Sequence, residues 1–246
     1  YFCGDNGTNT IQEDQGYNCF NDPNNLYDQY INKLGITNIR YPGGTVANFH
    51  DWRKGYFLKK LPTGFNIPKN YEALTKAWYD PAPWTGCKPV NTLTEMRKTF
   101  FKIGGDVLFN LNILTSDINY QMAMLYHARE LNLPVRSIEL GNEFYLSDEN
   151  NYYRFPTVID YAEEAINWAT AIKNDLGFSG NPPIIAAVGA DSKSADPGRR
   201  RLWLDNLLYE FSQNSNSSNI DAVTLHVYSG GGIEKYSLCG SNVPSN

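Results

Sequence analysis

Between Ser137 and Tyr145 the chain reads Ser-Ile-Glu-Leu-Gly-Asn-Glu-Phe-Tyr, an apolar, strand-like run that stops in Asn142-Glu143 and two aromatic residues. A carboxylate at a strand end, beside an amide and under aromatic rings, is placed for proton transfer to a bound sugar. A second carboxylate, Glu139, stands four residues earlier. At the strand rise the two lie ~13 Å apart, so they cannot both serve one sugar. Glu139, a layer deeper, is expected to be structural and to need a buried partner such as an arginine.

Other chemistries find less support. The three histidines, His50, His127 and His226, show no His-x-His or H-E-x-x-H spacing, so no metal is expected. No G-x-S-x-G elbow offers a serine nucleophile. No G-x-G-x-x-G follows a strand, and Gly230-Gly231-Gly232 precedes no helix signal, which counts against a dinucleotide cofactor. No cofactor is expected. His50, beside Asp51 and Trp52, suits either the lining of a cleft or the packing of a loop. Trp52, Trp78 and Trp84 suit sugar platforms or a local core, and Arg199-Arg200-Arg201 reads as a solvated helix start.

A net charge of -5 without a basic stripe argues against nucleic acid or an anionic membrane as partner. No run of about 18 apolar residues predicts a membrane-spanning helix. Cys3, Cys19, Cys87 and Cys239 lack C-x-x-C spacing, and pairing Cys3 with Cys19 and Cys87 with Cys239 is one of three possibilities. With glycosylation sequons at Asn6 and Asn216, the cysteines favour a secreted protein, extracellular or periplasmic. Nothing in the sequence sets the oligomeric state.

To position such residues the chain alternates strands with helices, the pattern of a parallel sheet. A short strand at 1–6 is followed by a helix that Asp22-Pro23 opens and Gly35 closes. Strands are expected at Ile36–Tyr41, Val107–Asn112, Val135–Asn142, Pro183–Val188 and Ile220–Val227, and helices at Thr92–Lys102, Asp117–Leu131, Thr157–Leu176 and Arg199–Phe211. A long insertion at 45–89, within a single domain spanning 1–246, is expected to help form a cleft. Strand alternation puts Arg40, then Asn110 and Asn112, then Glu139 and Glu143, then Thr224, His226 and Tyr228 on polar faces. The opposite faces carry Ile39, Tyr41, Leu111, Ile138, Leu140, Leu225 and Val227 for helix packing. Four strands that agree in this way describe a barrel interior that is polar at the strands' C-terminal ends.

Ile39-Arg40-Tyr41-Pro42-Gly43-Gly44-Thr45 and Glu139-Leu140-Gly141-Asn142-Glu143 resemble the second- and fourth-strand signatures of retaining glycoside hydrolases of clan A. Within that clan the chain looks closest to the arabinofuranosidase-like and heparanase/β-glucuronidase-like families. Asn110-Leu111-Asn112 and Leu225-His226-Val227-Tyr228 fall where those families have third- and sixth-strand motifs. The resemblance spans roughly residues 36–230 and implies an α/β fold, a (β/α)₈ TIM barrel, whose expected strands stop after the sixth.

It implies that Glu143 is the general acid/base and that Asn142 binds the sugar 2-hydroxyl. Arg40 would lie near the nucleophile carboxylate, Tyr228 would orient that carboxylate, and His226 would line the subsite, with Asn112 and Trp52 completing the substrate-binding set. The nucleophile itself is expected beyond Asn246, on a seventh strand, about 5–5.5 Å from the acid. Glu234, in a glycine-rich loop, is a poor substitute. The implied function is hydrolysis of O-glycosidic bonds in a polysaccharide or oligosaccharide, with carbohydrate as the only partner. The alternative is a non-catalytic carbohydrate-binding barrel without the nucleophile, and an oxidoreductase on an open doubly wound sheet is a more distant one.

Overall fold

The computed structural model describes residues 33–79, 91–191 and 198–227. The expected strand at 1–6, most of the helix that follows it, the four cysteines, Trp84, Tyr228 and Glu234 lie outside the described residues, as does the side chain of Trp78.

In chain order the strands are β1 (Asn38–Tyr41), β2 (His50–Asp51), β3 (Tyr56–Phe57), β4 (Asp106–Asn110), β5 (Val135–Glu139), β6 (Ile184–Val188) and β7 (Ala222–Thr224). The helices are α1 (Lys69–Tyr79), α2 (Leu93–Ile103), α3 (Ile118–Glu130), α4 (Glu149–Arg154), α5 (Val158–Asn174) and α6 (Trp203–Gln213). Strands β1, β4, β5, β6 and β7 pair in that order, all parallel, and β2 and β3 form a separate antiparallel hairpin. Each parallel neighbour follows a helical crossover, as parallel pairing requires.

The helix boundaries follow side-chain chemistry. Thr92 and Asp117 accept hydrogen bonds from the first turns of α2 and α3. Thr157 and Asp160 close a reciprocal capping box at α5, as their spacing predicts. Val107, Phe109, Ile138, Ile185 and Ala187 are buried in one hydrophobic core with Tyr161, Trp168, Trp203 and Leu207 of the helices. Two helix residues also tie down strand ends. Tyr161 donates to the Leu140 carbonyl at 2.9 Å and accepts from the Val188 N–H at 2.7 Å, while Trp203 Nε1 donates to the Val188 carbonyl at 2.8 Å.

Three expectations change. Among the described residues the sheet is open and five-stranded, not a closed barrel. β5 stops at Glu139 rather than Asn142, because Gly141 (φ 96°) and Glu143 (φ 53°) turn the chain out of the extended conformation. The helix expected at Arg199–Phe211 divides into a 3₁₀ turn at Gly198–Leu202 and α6, and its arginines are not simply solvated. Arg199 donates to the Phe155 carbonyl and lies over Tyr152 and Trp203; Arg200 lies over Tyr145. No described helix is long and apolar enough to cross a membrane.

The stretch expected as a cleft-forming insertion starts with a buried 3₁₀ turn, Thr45–Phe49, then the β2–β3 hairpin and α1. Val46, Phe49, Trp52, Tyr56 and Phe57 join the main core.

Replacing Thr157 by Ala removes the α5 cap and is expected to lower unfolding free energy by about 1 kcal/mol. Urea denaturation checks this, and an unchanged midpoint would show that the cap contributes nothing in this context.

Candidate active site

The parallel sheet presents its strand ends along one edge, so Arg40 of β1 and the residues closing β4, β5 and β7 meet there. Register fixes how they meet. Asn110 lies opposite Glu139, and Val188 lies opposite Thr224. Glu139 is fully buried and sits at the focus.

Its Oε2 accepts from Arg40 Nε at 2.6 Å and from Asn110 Nδ2 at 2.7 Å, and Arg40 Nη2 also lies 2.6 Å away. Its Oε1 accepts from Thr224 Oγ1 at 2.6 Å and faces His226 Nε2 at 3.1 Å. Burial alone would raise the Glu139 carboxyl, but His226, Arg40 and Thr224 outweigh it and hold the group below the usual carboxylate value. The expected buried arginine partner is Arg40.

Glu143 lies beyond the bend. Its positive φ is uncommon for a residue with a side chain, and the surroundings hold it there. A Cβ on Gly141 would fall 2.1 Å from the Phe144 ring, so only glycine lets that ring pack under the turn. Asn48 clamps the neighbouring peptide from both sides, donating to the Asn142 carbonyl at 2.9 Å and accepting from the Asn142 N–H at 3.1 Å. Thr115 Oγ1 holds Asn48 in turn through its carbonyl at 2.7 Å. Glu143 Oε1 accepts from the Tyr145 hydroxyl at 3.1 Å and faces His226 Nδ1 at 3.1 Å.

The ~13 Å separation expected for the two glutamates holds only for a continuous strand. With the chain bent, one imidazole touches both carboxylates. Both raise the His226 pKa, to about 9, against the opposing effects of burial and Arg40.

Arg40 Nη2 also donates to Asn142 Oδ1 at 2.9 Å, which leaves the Asn142 Nδ2 group for other partners. Arg40, Asn142, Glu143 and His226 therefore come together. Asn112 does not join them: its amide donates to the His50 carbonyl and to Thr115, deep in the protein. Trp52 is also elsewhere, buried with its Nε1 on the Tyr120 carbonyl and its ring against Tyr120 and His127. His50 packs edge-on against Tyr41, and burial pushes its pKa down to about 4.

Asn48 is a site residue that the sequence pattern does not single out. Nothing in its spacing marks Asn48, whereas Tyr145 is one of the two aromatics after Glu143. Among the described residues no group of three His, Cys, Asp or Glu could hold a metal ion.

No protein-family model and no curated protein matches the chain. Its fold is similar to part of several solved structures. An α-L-arabinofuranosidase from Thermotoga maritima aligns over 83% of this chain and 39% of its own, with TM-score 0.53 and 17% identity. A family 51 α-L-arabinofuranosidase from Bifidobacterium longum aligns over 82% and 38%, with TM-score 0.55 and 16% identity. A thermostable GH51 α-L-arabinofuranosidase from Thermotoga petrophila aligns over 81% and 38%, with TM-score 0.53 and 19% identity. The chain thus spans under two fifths of the length of these proteins. At such identity the likeness is one of fold: an α/β domain with a parallel sheet, similar to part of these α-L-arabinofuranosidases.

Because the His226 pKa is raised from 6.5 to about 9, its stabilising contribution is fully present below pH 6.5 and lost as pH rises through about 9. His226→Gln should therefore destabilise the protein at pH 6.5 and do so much less above pH 9. Urea unfolding of both proteins across that window checks this, and a pH-independent difference would contradict it.

Proposed function

We propose that the chain is the site-bearing part of a retaining glycoside hydrolase in which Glu143 is the general acid/base. One observation carries the reading: Glu143 stands at the C-terminal edge of a parallel sheet with Asn142 beside it, both held by dedicated hydrogen bonds. Barrel enzymes keep their chemistry at that edge.

We assign the transferable proton to Oε2, the oxygen opposite the one that meets Tyr145 and His226. In the first step that proton goes to the glycosidic oxygen as the bond to the anomeric carbon breaks and a second carboxylate attacks that carbon. In the second step the Glu143 carboxylate takes a proton from water as the water oxygen bonds to the anomeric carbon and the second carboxylate leaves it. Asn142 Nδ2 would donate to the sugar 2-hydroxyl, a contact that strengthens as positive charge develops on the ring.

Glu139 is not the second carboxylate, since it is fully buried and its oxygens are already occupied. We assign the nucleophile to the strand that would follow β7 in a (β/α)₈ barrel. Reaction by this route needs no metal or cofactor. Oligosaccharides or polysaccharides are the substrate class, and the arabinofuranosidase fold neighbours make an aryl α-L-arabinofuranoside the first compound to test.

Glu143→Gln in the full-length protein keeps the shape and removes the proton. Turnover of glycosides with poor leaving groups should fall by about 10²–10⁴. Activated aryl glycosides should lose less in the first step because they need less acid help. Steady-state kinetics on both classes checks this, and unchanged turnover on both would exclude Glu143 as the acid.

A further inference from the structure

The glycosidase reading gives Glu139 no part in bond making, yet it is the most heavily engaged side chain in the site. Its donors come from three strand ends and from the residue two beyond the last of them. Arg40 is the last residue but one of β1, Asn110 closes β4, and Thr224 closes β7, with His226 just past it. A carboxylate has room for about four such partners, so Glu139 is saturated. Nothing on it is left to touch a ligand.

Among the described residues the charges facing His226 are the carboxylates of Glu139 and Glu143, with the Arg40 guanidinium beyond Glu139. The Tyr145 hydroxyl shares the Glu143 oxygen, and the Tyr161 phenol, raised by burial, lies near Glu139 without a charge of its own. Both ring nitrogens face carboxylate oxygens at 3.1 Å. A neutral imidazole has one N–H and would set a lone pair against one of them. A proton on Glu143 Oε1 would relieve the conflict on that side, but both carboxylates raise the His226 pKa, to about 9, so the ring is the better base of the two. Only the imidazolium donates to both.

We propose that Glu139 is a positioning residue that keeps His226 doubly protonated and aims it at Glu143, so that the acid/base residue works against a fixed cation. The cation stabilises the carboxylate that remains when Glu143 gives up its proton, and it fixes the position of Oε1. Arg40 is shared by the same device, since one guanidinium binds Glu139 and the Asn142 amide. The catalytic consequence rests on the glycosidase reading. The protonation state of His226 does not.

The test is nuclear magnetic resonance of the ring nitrogens of His226 in the ¹⁵N-labelled protein, assigned with His226→Gln. In the wild type both ring nitrogens should carry protons at neutral pH, and a neutral ring there overturns the proposal without any variant of Glu139. Glu139→Gln then keeps the hydrogen-bonding shape and removes the charge. In folded Glu139→Gln protein, proton affinity at His226 should fall by more than about tenfold, and an unchanged titration would overturn the proposal. No glycoside is involved, so loss of activity for other reasons leaves this readout intact.

Discussion

A carboxylate with no solvent exposure, Glu139, sits where the strands of the sheet end, and the rest of the site depends on how its charge is met. Desolvating an ion is expensive unless a counter-charge and hydrogen bonds replace the lost water. Arg40 and His226 supply counter-charge, and Asn110 and Thr224 add hydrogen bonds. Since these partners come from β1, β4 and the end of β7, satisfying one carboxylate fixes the relative positions of three strand ends. The same guanidinium reaches Asn142, and the same imidazole reaches Glu143. Satisfied partners make the geometry of a buried polar network specific, and here the Asn110 amide gives both its donors, to Glu139 and the Gly141 carbonyl, while its Oδ1 is buried without a hydrogen bond.

The second constraint is the bend after β5. A strand that continued straight would carry Glu143 a full layer away from Glu139. Gly141 at φ 96° and Glu143 at φ 53° fold the chain back instead. Packing of Phe144 beneath Gly141 and the two-sided clamp by Asn48 hold this turn against its intrinsic strain. Residues with different jobs thus end close together: a buried anchor, a bridging cation and a carboxylate at the surface of the site.

Much of this is legible in the sequence, for a physical reason. Alternation along a strand is dictated by backbone geometry, so the residue pattern alone puts Arg40, Asn110, Glu139 and Thr224 on polar strand faces. The need of Glu139 for a cation follows from burial alone. The capping box at Thr157 and Asp160 is equally local. What alternation cannot show is where a strand stops. Asn112 reads as part of β4 although that strand ends at Asn110, and its amide serves the His50 carbonyl and Thr115. Trp52 is as compatible with a buried ring as with a sugar platform, and contact with Tyr120 and His127 decides for the former. Asn48 acts across a separation of 94 residues, which no local pattern encodes.

The claim that the Arg40–Glu139 ion pair organises the site is tested most directly by a double-mutant cycle. Arg40→Met, Glu139→Gln and the double variant would be unfolded in urea beside the wild type. The account predicts that the double variant loses less stability than the two single losses together, by about 1 kcal/mol or more, because either single change leaves the other charge without its ion-pair partner. Losses that add to within about 0.5 kcal/mol would show that the two residues act independently, and the site would need another organising interaction.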